Sequence, residues 1–300
     1  MRAALSTRSC PPLAPFTSFT AEEWHWLKWH FIIPCARADR VFLSEMRTTL
    51  EVLFTPADFA ALHQRDLRQT LCVVFDVLRA TSSMVTALGN GAAAIIPVAE
   101  IPEALNLRGQ QPDILLAGER DGVRIEAPLT GSISFDLGNS PREFTSGRVA
   151  GRTIAMTTTN GTRALRACLP ALGVCLGSFL NLRATAQAIE QLAPLHLLLV
   201  CSGTYEQAAY EDTLGAGALC DLLWPRYGDG AVADSALMAR RLFRLEQHDL
   251  LAAVAQSRNG RRLMARPDLQ DDVPFCFQQD LVAFVAELQQ DGAVRRRPAS

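Results

Sequence analysis

Several short apolar runs in this chain are followed directly by acids, hydroxyls, glycines and arginines. Leu71–Phe75 runs into Asp76-Val77-Leu78-Arg79-Ala80-Thr81-Ser82-Ser83, and Ile114–Ala117 into Gly118-Glu119-Arg120. Thr153–Met156 runs into Thr157-Thr158-Thr159-Asn160-Gly161-Thr162-Arg163, and Gly173–Leu176 into Gly177-Ser178-Phe179-Leu180-Asn181. Leu195–Cys201 is followed by Ser202-Gly203-Thr204, with Glu206, Glu211 and Asp212 close behind. Asp76 and Glu119 offer the hard oxygen ligands of Mg²⁺, which takes one or two carboxylates and leaves its other positions to water and phosphate. The run Thr157–Thr162 offers hydroxyls, a glycine and free amides at a helix start, where phosphate is held well. Thr81 and Ser82 can do the same at the next helix, or merely cap it. Arg79, Arg120 and Arg163 suit further anionic groups. Taken together, these residues describe a metal-assisted site for a small polyanion carrying phosphate. Each has an ordinary reading as well: a lone aspartate after a strand caps a helix, a threonine run makes a turn, and Glu211-Asp212 on a helix is a solvated face. His63, His196 and His248 read as structural.

The elements that must position these residues alternate. Strand-like runs are predicted from Arg47 to Phe54 and at Leu71–Phe75, Ala94–Val98, Ile114–Ala117, Thr153–Met156, Gly173–Leu176 and Leu195–Cys201. Helical spacing falls between them, at Met84–Leu88, Pro102–Arg108, Thr162–Cys168, Arg183–Leu192 and Thr213–Trp224. Such alternation predicts an α/β protein, a mainly parallel sheet covered by helices on both faces in three layers. Open parallel sheets bind ligands beyond the carboxyl ends of their strands, where these residues fall. A single domain is expected over residues 46–290. The stretch from Ala231 is expected to be mostly helical, with 291–300 a solvated basic tail ending in Arg295-Arg296-Arg297-Pro298.

Composition narrows the chemistry. The 300 residues hold 29 basic and 31 acidic side chains, a net charge of −2 that speaks against a basic nucleic-acid-binding face. Lys28 is the only lysine, so Schiff-base and P-loop lysines are excluded elsewhere and the cationic work falls to arginine. Eight cysteines without a C-x-x-C pair read as buried reduced thiols, which points to the cytoplasm. Five histidines form no H-x-H or H-E-x-x-H pattern, and no apolar run approaches the length of a membrane span. Residues 1–45 carry three of the four tryptophans and show no sustained period, which suggests a disordered extension or a start codon placed upstream of the functional start at Met46. A homo-oligomer is left open.

The set Asp76–Ser83, Gly118–Arg120, Leu137-Gly138-Asn139-Ser140-Pro141, Thr157–Arg163 and Ser202–Asp212, in that order, closely resembles the 2-phosphosulfolactate phosphatase (ComB) family, from about Met46 to residue 290. The resemblance implies a three-layer α/β/α fold. It also implies a Mg²⁺-dependent acid phosphatase that converts (2R)-2-phospho-3-sulfolactate to 3-sulfolactate and phosphate, a step of coenzyme M biosynthesis. On that basis Asp76 and Glu119, with help from Asp212, hold Mg²⁺, and Thr158, Thr159, Asn160, Gly161 and Thr162 cradle the phosphoryl group. Arg79 and Arg163 stabilise charge, Arg120 and Arg142 meet sulfonate or carboxylate, and Thr81, Ser82, Asn139 and Ser140 complete the substrate contacts. Leu78 stands where the haloacid-dehalogenase phosphatases carry the second acid of D-x-D. Family members read Glu-Gly-Phe-Asp before Gly-Asn-Ser-Pro; here Ala127–Ser134 is inserted between Ile125-Glu126 and Phe135-Asp136, an added loop expected close to the pocket. Two other readings stay open: a phosphatase for another small phosphorylated acid, and a non-catalytic binder of a phosphorylated metabolite.

Overall fold

The computed structural model describes residues 48–297. The expectations for residues 1–45 and for the start at Met46 lie outside them. Among the described residues eleven strands form one mixed, mostly parallel sheet flanked by helices, an α/β/α arrangement as the alternation predicts. In chain order they are β1 (Thr49–Leu53), β2 (Thr70–Phe75), β3 (Ala94–Pro97), β4 (Leu115–Arg120), β5 (Val123–Arg124) and β6 (Thr153–Thr157). They continue with β7 (Gly173–Gly177), β8 (His196–Cys201), β9 (Ala231–Val232), β10 (Ala286–Leu288) and β11 (Val294–Arg296). Across the sheet the order is β5-β4-β6-β3-β11-β10-β7-β2-β8-β1-β9. β2 is buried along its whole length, which is why it reads as an unbroken apolar run rather than an alternating one.

Two parallel blocks, β4-β6-β3 and β7-β2-β8-β1-β9, are joined through the antiparallel hairpin β10–β11. From β3 to β7 every pairing is antiparallel (β3–β11, β11–β10, β10–β7), so the two blocks run in opposite senses. In a flat sheet their carboxyl ends would lie on opposite edges. They meet instead, because both blocks turn one face to a shared core. Cys72, Val74, Leu198 and Val200 from one block, and Ile95, Ile154 and Met156 from the other, pack together with Met84, Val85 and Leu88 of the helix Ala80–Gly89. A second core lies on the other face of the larger block, where Leu71, Val73, Leu197 and Leu199 meet the helices Leu182–Leu192 and Tyr210–Tyr227. A third lies under the helix Ile101–Gln110, around Leu116 and Ala155.

Helices do follow Ala231, at Asp234–Glu246, Leu250–Ala255, Arg258–Met264 and Asp272–Cys276. Residues 291–297, however, are not a solvated tail, since Val294–Arg296 is a strand at the seam between the two blocks. Val294 is fully buried, and the Arg296 guanidinium caps the last turn of Ala80–Gly89 by donating Nε–H to Leu88 O (2.8 Å) while stacking 4.5 Å from the Phe284 ring centre. The inserted loop is also placed away from the expected position. Ala127–Thr130 forms one exposed turn closed by Ser134, which accepts the Ala127 amide (3.1 Å). None of residues 127–134 lines the cleft described below.

Candidate active site

A cleft opens where the carboxyl ends of β2, β4, β6 and β8 converge. Asp76, the first residue past β2, stands at its base, half buried. Its Oδ1 accepts the amide of Ala80 (3.0 Å), the first residue of the helix that follows. Its own amide is held by Thr81 Oγ1 (3.1 Å), which also donates to Gly177 O (2.8 Å) at the end of β7. Asp76 Oδ2 has no hydrogen-bond partner among the described residues. It faces the start of Gly161–Ala167, where residue 161 must be glycine: a Cβ there would sit 2.5 Å from Oδ2 and 2.7 Å from the Ala80 methyl.

Glu119, near the end of β4, is buried and gripped on both oxygens. The Gly122 amide donates to Oε2 (2.6 Å), and the amide and hydroxyl of Thr159 both donate to Oε1 (2.9 Å each). This carboxylate therefore holds the β4–β5 turn and the loop after β6 in register. Behind it the threonine run is self-contained. Thr158 and Thr162 exchange bonds (Thr158 amide to Thr162 Oγ1, 3.3 Å; Thr162 amide to Thr158 Oγ1, 3.2 Å), and both are buried away from the cleft. Of that predicted cradle, Thr159 and Asn160 line the cleft and Gly161 makes room for Asp76.

Asp212 has a different setting from the predicted third metal ligand. Its Oδ1 accepts the Val77 amide (2.8 Å) and its Oδ2 the Gly203 amide (3.1 Å), so it ties the ends of β2 and β8 together. Among the described residues no three of His, Cys, Asp and Glu converge on a ready-made metal cage. The acids nonetheless feel one another. Burial raises the Asp76 carboxyl to about 7, with the charges of Glu119 and Glu211 pushing the same way and the Ala80 amide pulling against them. Burial likewise raises Asp212, helped by Asp76 and Glu211, and raises Glu211 against the pull of the Asn259 amide. Three buried acids thus crowd one another at the margin of the cleft.

The predicted arginines separate. Arg79 lines the cleft but is buried against Asp272, donating Nη1–H to Oδ2 (2.6 Å) and Nη2–H to Gly122 O (2.8 Å). Ser140 Oγ (2.6 Å) and Arg142 Nε (2.8 Å) donate to the other oxygen of Asp272, so these two predicted substrate contacts hold the fold instead. Arg120 follows Glu119 on a strand and so points to the opposite face, where it donates to Thr157 Oγ1 (3.1 Å). Arg163 is exposed and pairs with Glu206 (3.9 Å). Ser82 caps backward onto Val77 O (2.9 Å). Thus Asp76, Arg79, Glu119, Asn139, Thr159 and Asn160 are brought together, whereas Thr81, Ser82, Arg120, Ser140, Arg142, Thr158, Thr162, Arg163 and Asp212 are not cleft residues.

Sequence reasoning missed the opposite wall. Asp121 and Gly122 of the β4–β5 turn, Gly203-Thr204-Tyr205 after β8, and Asn259 and Arg262 of the helix Arg258–Met264 complete the lining. Gly203-Thr204 stood in a noted motif; nothing local marks Asn259 or Arg262. The side-chain oxygens of Asn139, Asn160 and Asn259 are buried without a partner, beside the unbonded Asp76 Oδ2. All are acceptors. Unmet carboxylate and amide oxygens in an acidic cleft fit a hard cation and its water shell.

A family model described as 2-phosphosulpholactate phosphatase matches residues 58–291. A protein of Caldicellulosiruptor saccharolyticus named "Probable 2-phosphosulfolactate phosphatase" is 37% identical over 228 residues, covering 74% of this chain and 90% of its own. Proteins of the same name from Pseudothermotoga lettingae (37% over 251 residues, 83% of this chain and 100% of the relative) and Symbiobacterium thermophilum (38% over 215 residues, 71% and 88%) are similarly close. Among the described residues no helix is long and apolar enough to cross a membrane, and the six cysteines there are buried and unpaired.

Proposed function

The chain belongs to the 2-phosphosulpholactate phosphatase family, and from that membership we propose that it hydrolyses (2R)-2-phospho-3-sulfolactate to 3-sulfolactate and phosphate with the help of Mg²⁺, within coenzyme M biosynthesis. The observation that carries the reading is the cleft itself: Asp76, Asn139 and Asn160, each with an unmet acceptor oxygen, line it together with Arg79 and Arg262. Such a pairing suits a polyanion that arrives with a cation. Asp76 and Glu119 would hold Mg²⁺, which when bound would neutralise phosphate oxygens. Thr159 and Asn160 border the phosphoryl position. The grip of Gly122 and Thr159 on Glu119 fixes its carboxylate before substrate arrives, which lowers the cost of ordering at the moment of reaction. Hydrolysis breaks the ester P–O bond and forms one from phosphorus to the water oxygen. Arg79, locked by Asp272, keeps a fixed positive charge beside the phosphoryl charge.

The test is phosphate release by the full chain from synthetic (2R)-2-phospho-3-sulfolactate, with Mg²⁺ and with chelator. Release that needs Mg²⁺ is expected; no release in either condition would overturn the reading. Stability supplies an independent check. Asp76, Asp212 and Glu211 all have folded-state values above their unfolded ones, so their charged forms oppose folding. The penalty is absent below the unfolded carboxylate range and accumulates as pH rises towards the Asp76 value of about 7. In chelator, Tm is therefore expected to fall between about pH 4 and 7 through these groups, and Mg²⁺ is expected to raise Tm more at about pH 8 than at about pH 5. A Mg²⁺ shift of equal size at both values would show that Asp76 does not bind the ion.

A further inference from the structure

We propose that Arg262 binds the acid end of the substrate, the oxyanion group (sulfonate or carboxylate) that is not the phosphate; this rests on the phosphatase reading above. The helix that carries it is firmly seated. Ser257 caps its start by accepting the Gly260 amide (2.9 Å), and Asn259 donates to Glu211 (2.6 Å) and Thr204 Oγ1 (2.5 Å). Arg258 donates to Thr204 O (3.0 Å) and lies 5.7 Å from the Tyr205 ring centre. Arg262, one turn on, reaches the same tyrosine, donating Nη1–H to its hydroxyl (3.3 Å).

Of the two arginines that line the cleft, Arg262 is the one without an acid partner. It is half buried, has no carboxylate within ion-pair distance among the described residues, and its Nε–H is buried without an acceptor. Its neighbour Arg79 already spends Nη1 on Asp272 and Nη2 on Gly122 O. The two guanidiniums flank Gly122: a Cβ there would lie 3.6 Å from Arg262 Nη2 and 3.9 Å from Arg79 Nη2. Gly122 is also left-handed (φ 78°), so glycine keeps this gap open on two counts. A buried guanidinium N–H with no acceptor is costly, and an oxyanion accepting two parallel bonds from the fork removes that cost. Asp76 and Glu119 claim the phosphate side, which leaves the second anionic group of the substrate for Arg262.

The experiment compares the wild-type full chain with Arg262→Gln and Arg262→Lys on three esters: phosphosulfolactate, phospholactate and 4-nitrophenyl phosphate. For Arg262→Gln, KM is expected to rise about tenfold or more on phosphosulfolactate with kcat nearly unchanged, and 4-nitrophenyl phosphate kinetics are expected not to move. A parallel rise on phospholactate assigns the contact to carboxylate; a rise confined to phosphosulfolactate assigns it to sulfonate. Arg262→Lys should fall between, keeping the charge and losing the fork. Equal losses on all three esters, or none on any, would overturn the proposal. Thermal stabilisation by 3-sulfolactate needs no turnover. If the wild type releases no phosphate yet is stabilised by 3-sulfolactate and Arg262→Gln is not, the phosphatase reading fails and the subsite stands. If phosphate is released but both proteins are stabilised alike, the subsite fails alone.

Discussion

Asp76→Asn is expected to cut phosphate release by about a thousandfold or more while leaving the protein folded and more stable at neutral pH. The two halves of this result come from one feature. Burial and the charges of Glu119 and Glu211 raise the Asp76 carboxyl to about 7, so the ionised form is held against its preference. Asparagine keeps an oxygen for the Ala80 amide, removes the charge and fits the space beside Gly161. A carboxylate kept at a cost to stability, with its Oδ2 left unbonded in the cleft, is what a residue retained for chemistry looks like. The measurement pairs initial rates with melting curves at about pH 7.5. Full activity would remove Asp76 from the mechanism; lost activity with a collapsed Tm would make it a structural residue. The Mg²⁺-induced Tm rise should also shrink in this variant, which separates a lost metal ligand from a lost reacting group.

How far the sequence reached follows from what each signal physically is. Central strands such as Thr70–Phe75 and His196–Cys201 are buried on both faces and stand out as apolar runs; their carboxyl ends are where an α/β sheet must bind ligands, so Asp76, Glu119, Thr159 and Asn160 were legible. Ala286–Leu288 and Val294–Arg296 were not. Three residues hold too little alternation to be read, and Glu287 and Arg295 put charge on the outward side of both. Missing this hairpin hid the reversal between the two blocks, which folds two sets of strand ends into one cleft rather than lining up one edge. The arginines went wrong for a reason visible in their numbers. Arg120 and Arg163 directly follow the inward-facing Glu119 and the buried Thr162, and so point elsewhere. Arg142 is drawn to Asp272, and Arg262 enters from a helix far along the chain; no local pattern ties either to the strand ends.

The helix Asp272–Cys276 sets the largest expected loss of stability, in Asp272→Ala. Asp272 is fully buried and accepts from Arg79, Ser140 and Arg142 at once, joining the loop after β2, the Asn139-Ser140 segment and the C-terminal helices. Arg79 is itself only 3% exposed, so removing its partner strands a buried guanidinium, a change that costs about 3–5 kcal/mol. At roughly 2–4 °C per kcal/mol for a domain of this size, Tm should fall by about 6–20 °C. The exposed pair Arg166–Glu103, 2.7 Å long against 2.6 Å for Arg79–Asp272, is the control: breaking it should cost under about 1 kcal/mol, because water already solvates both ends. The double replacement Asp272→Leu with Arg79→Met should recover much of the lost stability, since it removes both buried charges together, yet activity should not return. That split follows from geometry. Asp272 does not line the cleft and bears on it by holding Arg79 there, so the methionine can restore packing but not the positive charge beside the phosphoryl group. Recovery of turnover in the double variant would show that Arg79 serves the fold alone.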